Sequence, residues 1–411
     1  MGPSNAKAPD PLGFLATPGL TPAARTRLPT HHNLILWETE PGQPIAARVA
    51  IAGDFLPAGN LAISPHSNWR GMAGNLAGHF ADVATTFANL ECPVGVEGCA
   101  ARPLAGLGQI VSAPADSLEY LAAVRSHAVG IANNHSYDFG SSGVVATRQA
   151  IARSEMVPIG AGRNAKDAPE VFVWHGLGGL RVGFWAAAQA SADLATRDLA
   201  GVEPATPLRG LQALDEMKSL GATFCIALLH AGCLRTNRPA PEDVELMNML
   251  AQSGFDLLAA SHSHRISGYQ RVQATRRRTS FCFYGLGSLA SGYIASPLER
   301  EGLVIVAGFD AHGEFARVEV RPVFLEENGF GAIPDAAAAR AIVARFQHLS
   351  QEIANGTYEK HFYQELSPGL LRLYLRDVRA AFRARGISGL AAKVRRIRVR
   401  HVKRLVHQVT G

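Results

Sequence analysis

A chain of 411 residues, 47% hydrophobic and 18% charged, is long and apolar enough to bury a substantial core, which excludes a disordered polypeptide. Five cysteines without a CxxC pair argue against a disulfide scaffold or a zinc knuckle. The net charge of +6 is uneven: residues 372–411 hold twelve Lys/Arg and one Asp, net +11, so the remainder carries −5.

Residues 1–45, rich in Pro, Ala and Thr without periodicity, read as a loosely ordered lead-in. They show no apolar segment after a basic start, and no run in the chain approaches the roughly 20 apolar residues of a membrane span. The expected compartment is the cytoplasm. From Ala47, strand-like runs (47–55, 84–90, 128–132, 223–229 and 256–260) alternate with helix-period segments (70–80, 115–126, 141–155, 208–220 and 241–253). Ser141 and Ser142 are candidate caps for the third helix. Segments 171–174 and 180–187, split by a glycine-rich turn, read as a hairpin, and 281–284, 303–309 and 316–323 as late strands. The sum is an α/β domain over 46–325, a helix (335–353) and linker within 326–368, and a basic helical tail at 369–411.

The strand ends carry the chemistry. The first run ends in Gly53-Asp54, the second in Asn89-Leu90-Glu91, the third in Asn133-Asn134-His135, the fourth in His230, and the fifth in Ser261-His262-Ser263-His264. In an open α/β sheet, ligands bind outside the carboxyl ends of strands. Two carboxylates, an amide and several imidazoles gathered there form the oxygen and nitrogen donor set of a divalent transition metal. Each residue also has an ordinary reading. Asp54 suits a turn, Glu91 a surface carboxylate, Asn134 an Asx-turn and His230 a hydrogen-bonded core position. For Asn133-Asn134-His135 two explanations stand: the residues close a turn on their own backbone, or groups beyond the strand receive them. The spacing His262-x-His264 just past an apolar run is the strongest single signal.

The order "GDF", "ANLECP", "ANNHSYDFG", "LLHAG", "SHSH" and "YGLGS", with "APADSLEYL" and "PIGAG" between them, resembles the poly-γ-glutamate capsule-synthesis (CapA-type) family, a branch of the calcineurin-like metallophosphoesterases. The resemblance spans about residues 48–310. It implies a four-layer α/β/β/α sandwich with the site at one edge of two sheets, and one or two divalent ions, with Mn, Fe or Zn expected. It implies Asp54 and His264 on one ion, His230, His262 and Asn134 on the other, and Glu91 bridging. It implies that His135 faces substrate rather than metal, with Asp138 orienting its ring. Three positions depart from the pattern: Leu56 stands where the wider superfamily has a histidine, Ala231 where tryptophan is frequent, and Ser288 where asparagine is frequent.

The implied activity is phosphoesterase-like hydrolysis of an anionic substrate; the branch name implies a part in making an anionic polymer, poly-γ-glutamate. A competing reading is a non-catalytic, metal-containing scaffold that binds a polyanion and assists a membrane synthase. A third, dinucleotide binding by the G-x-G-x-x-A run at 285–290, requires a helix immediately afterwards, and Gly292 and Pro297 break one. The tail at 372–405 resembles an interfacial helix in peripheral contact with anionic membrane, against a charged helix packed on the acidic body. Nucleic acid is not expected, because no recognised module accompanies the charge. Arg276-Arg277-Arg278 reads as a solvated turn.

Overall fold

The computed structural model describes residues 33–61, 68–102, 109–189, 193–275 and 278–366. The basic tail, Arg276-Arg277 and most of the lead-in lie outside the described residues. In chain order the strands are β1 (Leu34–Glu38), β2 (Ala47–Leu56), β3 (Thr85–Leu90), β4 (Ser126–Gly130), β5 (Val157–Ile159), β6 (Ala161–Asn164), β7 (Val171–His175), β8 (Arg181–Ala188), β9 (Ala200–Val202), β10 (Phe224–His230), β11 (Leu257–Ser261), β12 (Tyr269–Thr275), β13 (Arg278–Phe283), β14 (Ser288–Ser291), β15 (Glu301–Phe309), β16 (Phe315–Leu325) and β17 (Gly331–Ala332). The helices are α1 (Trp69–Ala73), α2 (Ala77–Phe80), α3 (Leu118–Ala123), α4 (Gly140–Arg153), α5 (Pro207–Ser219), α6 (Pro241–Ser253), α7 (Ala336–Ala354) and α8 (Tyr358–Glu365).

Two sheets pack face to face. One runs β1-β16-β15-β2-β3-β4-β5, with β14 beside β2 and β17 beside β16; the other runs β12-β13-β11-β10-β8-β7. In the first sheet β2, β3, β4 and β5 are parallel and β15, β16 and β1 add antiparallel on one side; in the second, β13, β11, β10 and β8 are parallel and the edge strands β12 and β7 antiparallel. Period-two alternation divides the second sheet between two cores. Phe224, Ile226 and Leu228 of β10 face the first sheet, with Phe184 of β8 and Phe281 of β13, while Cys225, Ala227 and Leu229 face α5 and α6. Phe87 of β3 stacks on Phe184 at 4.3 Å between ring centroids, a contact worth about 0.5–1.5 kcal/mol beyond its burial. On the far side of the first sheet, Phe55 of β2 stacks on Tyr120 of α3 at 5.0 Å. The order helix, sheet, sheet, helix is the expected α/β/β/α sandwich.

Gly53 is placed by close approach. β2 pairs with β15 over Ala47–Ala52 and with β14 from Asp54, with an irregularity in its pairing to β3 between Ile51 and Asp54. A Cβ on Gly53 would lie 2.1 Å from the Gly287 carbonyl oxygen, which accepts the Asp54 amide hydrogen at 3.1 Å between heavy atoms. The bulge turns Asp54 to the face carrying Asn89 of β3, between the two sheets.

Several expectations are corrected. Residues 34–38, placed in a loose lead-in, form an edge strand on β16: Leu34 is buried and Trp37 stacks on Phe315 at 5.0 Å, so this short apolar run has a surface to cover. The helix expected at 70–80 is broken into α1, a 3-10 turn and α2, in a segment where Gly71, Gly74 and Gly78 weaken helical continuity. Ser141 and Ser142 are not caps; α4 starts at Gly140, with Phe139 before it, and Ser142 Oγ donates back to the Phe139 carbonyl. The G-x-G-x-x-A run leads into strand β14 rather than a helix, which removes the dinucleotide reading. No described helix is long and apolar enough to cross a membrane.

Candidate metal centre

The carboxyl ends of β2, β3, β4, β10 and β11 meet at one edge of the two facing sheets. Among the described residues, two groups of three side chains each hold donor atoms within 4.8 Å of one another: Glu91, His230 and His262, and Asp54, Glu91 and His264. Glu91 belongs to both. Its Oε1 lies 3.5 Å from His230 Nε2 and 4.0 Å from His262 Nδ1, and its Oε2 lies 3.6 Å from His264 Nδ1. Asp54 Oδ2 lies 3.4 Å from His264 Nδ1. Asn134 Oδ1 completes the first group, 2.6 Å from His230 Nε2.

The electrostatics fit a cation. Asp54, Glu91 and His230 are buried to about 1% exposure or less, so both carboxylates lie in a site that cannot hydrate them. Burial, then the Asp54 charge, pushes the Glu91 carboxyl well above its ordinary value. Burial also acts to raise Asp54, but hydrogen bonding and attraction from His264, then His230, outweigh it and hold that carboxyl below the usual range. Burial, then the neighbouring His262, pushes His230 well below its ordinary value, which keeps the imidazole neutral and able to donate a lone pair. Glu91 Oε2 is buried without a hydrogen-bond partner. A divalent ion would satisfy that oxygen and relieve the repulsion between the carboxylates, so the residues fit the group.

Backbone strain sharpens the β11 end. His262 (φ 117°) and His264 (φ 56°) both occupy the left-handed side of φ, at a cost of order 1–3 kcal/mol each. In return the His262 amide donates to Asp54 Oδ2 at 2.9 Å, and both imidazoles reach the carboxylates.

Asn133-Asn134-His135 divides its work. Asn133 closes the turn: its Oδ1 accepts from the His135 amide at 3.1 Å, and its Nδ2 donates to the Leu90 carbonyl at 2.7 Å. Asn134 meets His230 across the sheets. His135 Nδ1 lies 2.9 Å from Asp138 Oδ2, which also accepts from the Val111 amide at 2.9 Å. An ionised carboxylate only accepts, so beside Asp138 a neutral His135 ring donates from Nδ1. Both explanations left open by the sequence operate, on different residues.

Sequence reasoning missed Asn89. Its Nδ2 donates to Asp54 Oδ1 at 2.7 Å and lies 3.3 Å from His230 Nδ1, touching one candidate ligand from each sheet. Its phase alone, two residues after Phe87 on the same face, does not single it out from other buried polar groups. Of the departing positions, Leu56 and Ala231 are buried and add no polar side chain, whereas Ser288 Oγ lies 3.4 Å from His264 Nδ1.

The family model described as "Bacterial capsule synthesis protein PGA_cap" matches residues 48–293. The chain belongs to this family. Among its relatives, capsule biosynthesis protein CapA of Bacillus anthracis is 27% identical over 166 residues, 39% of each chain. PGA biosynthesis protein CapA of Bacillus subtilis (strain 168) is 23% identical over 216 residues, 52% of this chain and 54% of the relative. The matches therefore span about two fifths and about half of the length of these relatives. Similar solved structures include a 5'-nucleotidase precursor from Thermus thermophilus (TM-score 0.44, 13% identity, 74% of this chain and 58% of that one) and the calcineurin-like phosphoesterase YfkN from Bacillus subtilis (TM-score 0.41, 12% identity, 76% and 99%). Residues 294–366, beyond the family match, add β15, β16, β17, α7 and α8 to the described structure.

Proposed function

We propose that this capsule-synthesis family member is a metal-dependent, phosphoesterase-like hydrolase acting on an anionic substrate in the making of an anionic polymer, poly-γ-glutamate being the polymer named by the family. The observation that carries the reading is Glu91: one buried carboxylate shared by two donor triads drawn from both sheets. Divalent cations held there supply Lewis acidity, neutralising charge on an ester oxygen and lowering the pKa of a water. The protein's own residues do the rest. Asp54 and His264 on one side, and His230, His262 and Asn134 on the other, fix two donor sets around Glu91. Asn89 keeps Asp54 and His230 in register. His135, oriented by Asp138, holds or moves a proton at Nε2 beside the donors, a contribution typically worth ~10²–10⁴-fold.

The test is turnover of bis(p-nitrophenyl) phosphate by protein loaded with Mn²⁺. Wild type hydrolyses it and His262→Ala does not; no turnover by wild type that binds the metal removes the hydrolase reading. A second reading, a non-catalytic scaffold for a polyanion, is favoured by Leu56, where the wider superfamily carries a histidine, and by Ala231, where members of this branch often carry tryptophan; both are buried and add no polar side chain. In that case polymer production in cells would tolerate His135→Ala.

A further inference from the structure

Three arginines lie on the loops that follow His230 and His262, and their charges are balanced unequally. Arg238 meets two carboxylates: Nε and Nη2 donate to Glu352 at 2.7 and 2.9 Å, and Nη1 to Glu365 at 2.5 Å. Arg235 and Arg265 share one. Glu299 Oε1 lies 3.3 Å from Arg235 Nε and 3.9 Å from Arg265 Nη2. That carboxylate is already engaged, since it accepts from the Ala295 amide at 2.7 Å and from Ser296 Oγ at 3.3 Å. The other side-chain contacts of Arg265 are to neutral groups, Ser296 Oγ at 3.2 Å and, at the long limit, Asn237 Oδ1 at 3.5 Å. Its Nε is buried without a hydrogen-bond partner. A guanidinium presents five donors in a planar fork suited to carboxylate or phosphate, and that of Arg265, half-buried beside a shared carboxylate, keeps donors to spare.

The backbone puts this pair against the metal centre. Arg265 follows His264 directly, and the Arg235 amide donates to the Ser263 carbonyl, between the two ligand histidines, at 2.9 Å. Arg235 takes a left-handed φ of 63°, a strained conformation for a non-glycine, and keeps more than half of its side chain exposed. We propose that Arg235 and Arg265 receive a second anionic group of the substrate, a carboxylate or a phosphate, while the first lies at the metal centre. This rests on the reading of that centre as the site of an anionic substrate. It makes the preferred substrate one that carries at least two anionic groups, as a polyanion or a phosphorylated acid does.

The test is calorimetric titration of the full-length, metal-free protein with two probes, γ-linked triglutamate and inorganic pyrophosphate, at low salt. Wild type binds at least one probe, and the probe that binds identifies the source of the charge. Arg235→Ala and Arg265→Gln each weaken that binding by on the order of ten-fold, the effect of one charge-assisted hydrogen bond, and Arg265→Lys recovers part of it. Because Arg235 is largely exposed, its alanine variant keeps the fold and decides the matter even if Arg265→Gln does not fold. Unchanged affinity in Arg235→Ala, or no binding of either probe by wild type, overturns the proposal. Mn²⁺ binding by the same proteins is read in parallel. An arginine effect in a protein that takes up no Mn²⁺ sinks the metal centre and leaves the anion site standing.

Discussion

His135 and Asp138 sit three residues apart and form one unit. The Asp138 carboxylate accepts from a backbone amide and from His135 Nδ1, so the ring is held in one tautomer. His135→Ala is expected to lower kcat on an aryl phosphodiester by ~10²–10⁴-fold while leaving the bound metal and KM unchanged. Asp138→Asn acts through the ring, and its effect appears as an altered pH–rate profile with metal content retained. Equal loss of metal in both variants would make the pair structural rather than catalytic. At this scale the candidate donors were legible because side chains with oxygen and imidazole donors at the ends of apolar runs have few packing reasons to be there. Asn89 was not, because an amide one residue inside a run looks like any buried polar group until its partners are known. The resemblance set Asn134 apart from Asn133, but the turn that Asn133 closes was equally hidden, since adjacent amides differ only in what the fold puts opposite them.

Among the elements, α7 and α8 explain why residues beyond the family match belong to the site's architecture. The loop from Ala231 to Ala240 continues directly from His230, and Arg238 ties it to Glu352 of α7 and Glu365 of α8. Phe362 and Leu366 pack on Cys233 and Ala240 of the same loop. The Arg238 hydrogen bond is the main cause holding the Glu352 carboxyl below its ordinary value of 4.5; burial opposes it, and His361 adds to it. A depressed carboxyl contributes stability that is present above the unfolded value and lost as pH falls through the folded one. Arg238→Ala is therefore expected to cost about 2 kcal/mol at neutral pH, between exposed and fully buried pairs, and progressively less as pH falls below 4.5. Thermal denaturation of both proteins across pH checks this, with His348 and His361 as the other ionisable contacts of Glu352; a pH-independent penalty would contradict it. The sequence announced α7 through its alanine-rich period and the parallel strands through their apolar runs. It concealed β12, whose run YQRVQAT mixes polar and apolar residues on an edge, and β14, four residues closely flanked by Gly287 and Gly292.

Across the whole molecule, the centre joins two sheets. Asp54, Glu91 and Asn134 come from the first, and His230, His262 and His264 from the second. Between them lies the apolar interface of Phe87, Phe184, Ile226 and Leu228, which fixes the spacing of the two edges. An α/β domain was readable from alternating strands and helices, and the four-layer sandwich from the family resemblance; the pairing order was in neither. No periodicity, however, says which strand ends lie opposite one another; that follows from the parallel pairing of β8, β10 and β11 and of β2, β3 and β4. An ion bound across the sheets stabilises the folded chain by its binding free energy, because the unfolded chain holds no such site. The most direct measurement is the metal content of the full-length protein after dialysis against Mn²⁺, taken with its melting temperature before and after chelation. The account predicts one to two equivalents of ion, a lower melting temperature on chelation, and loss of both effects in Glu91→Ala. A folded wild type that retains no ion, and melts at the same temperature with or without Mn²⁺, would contradict it.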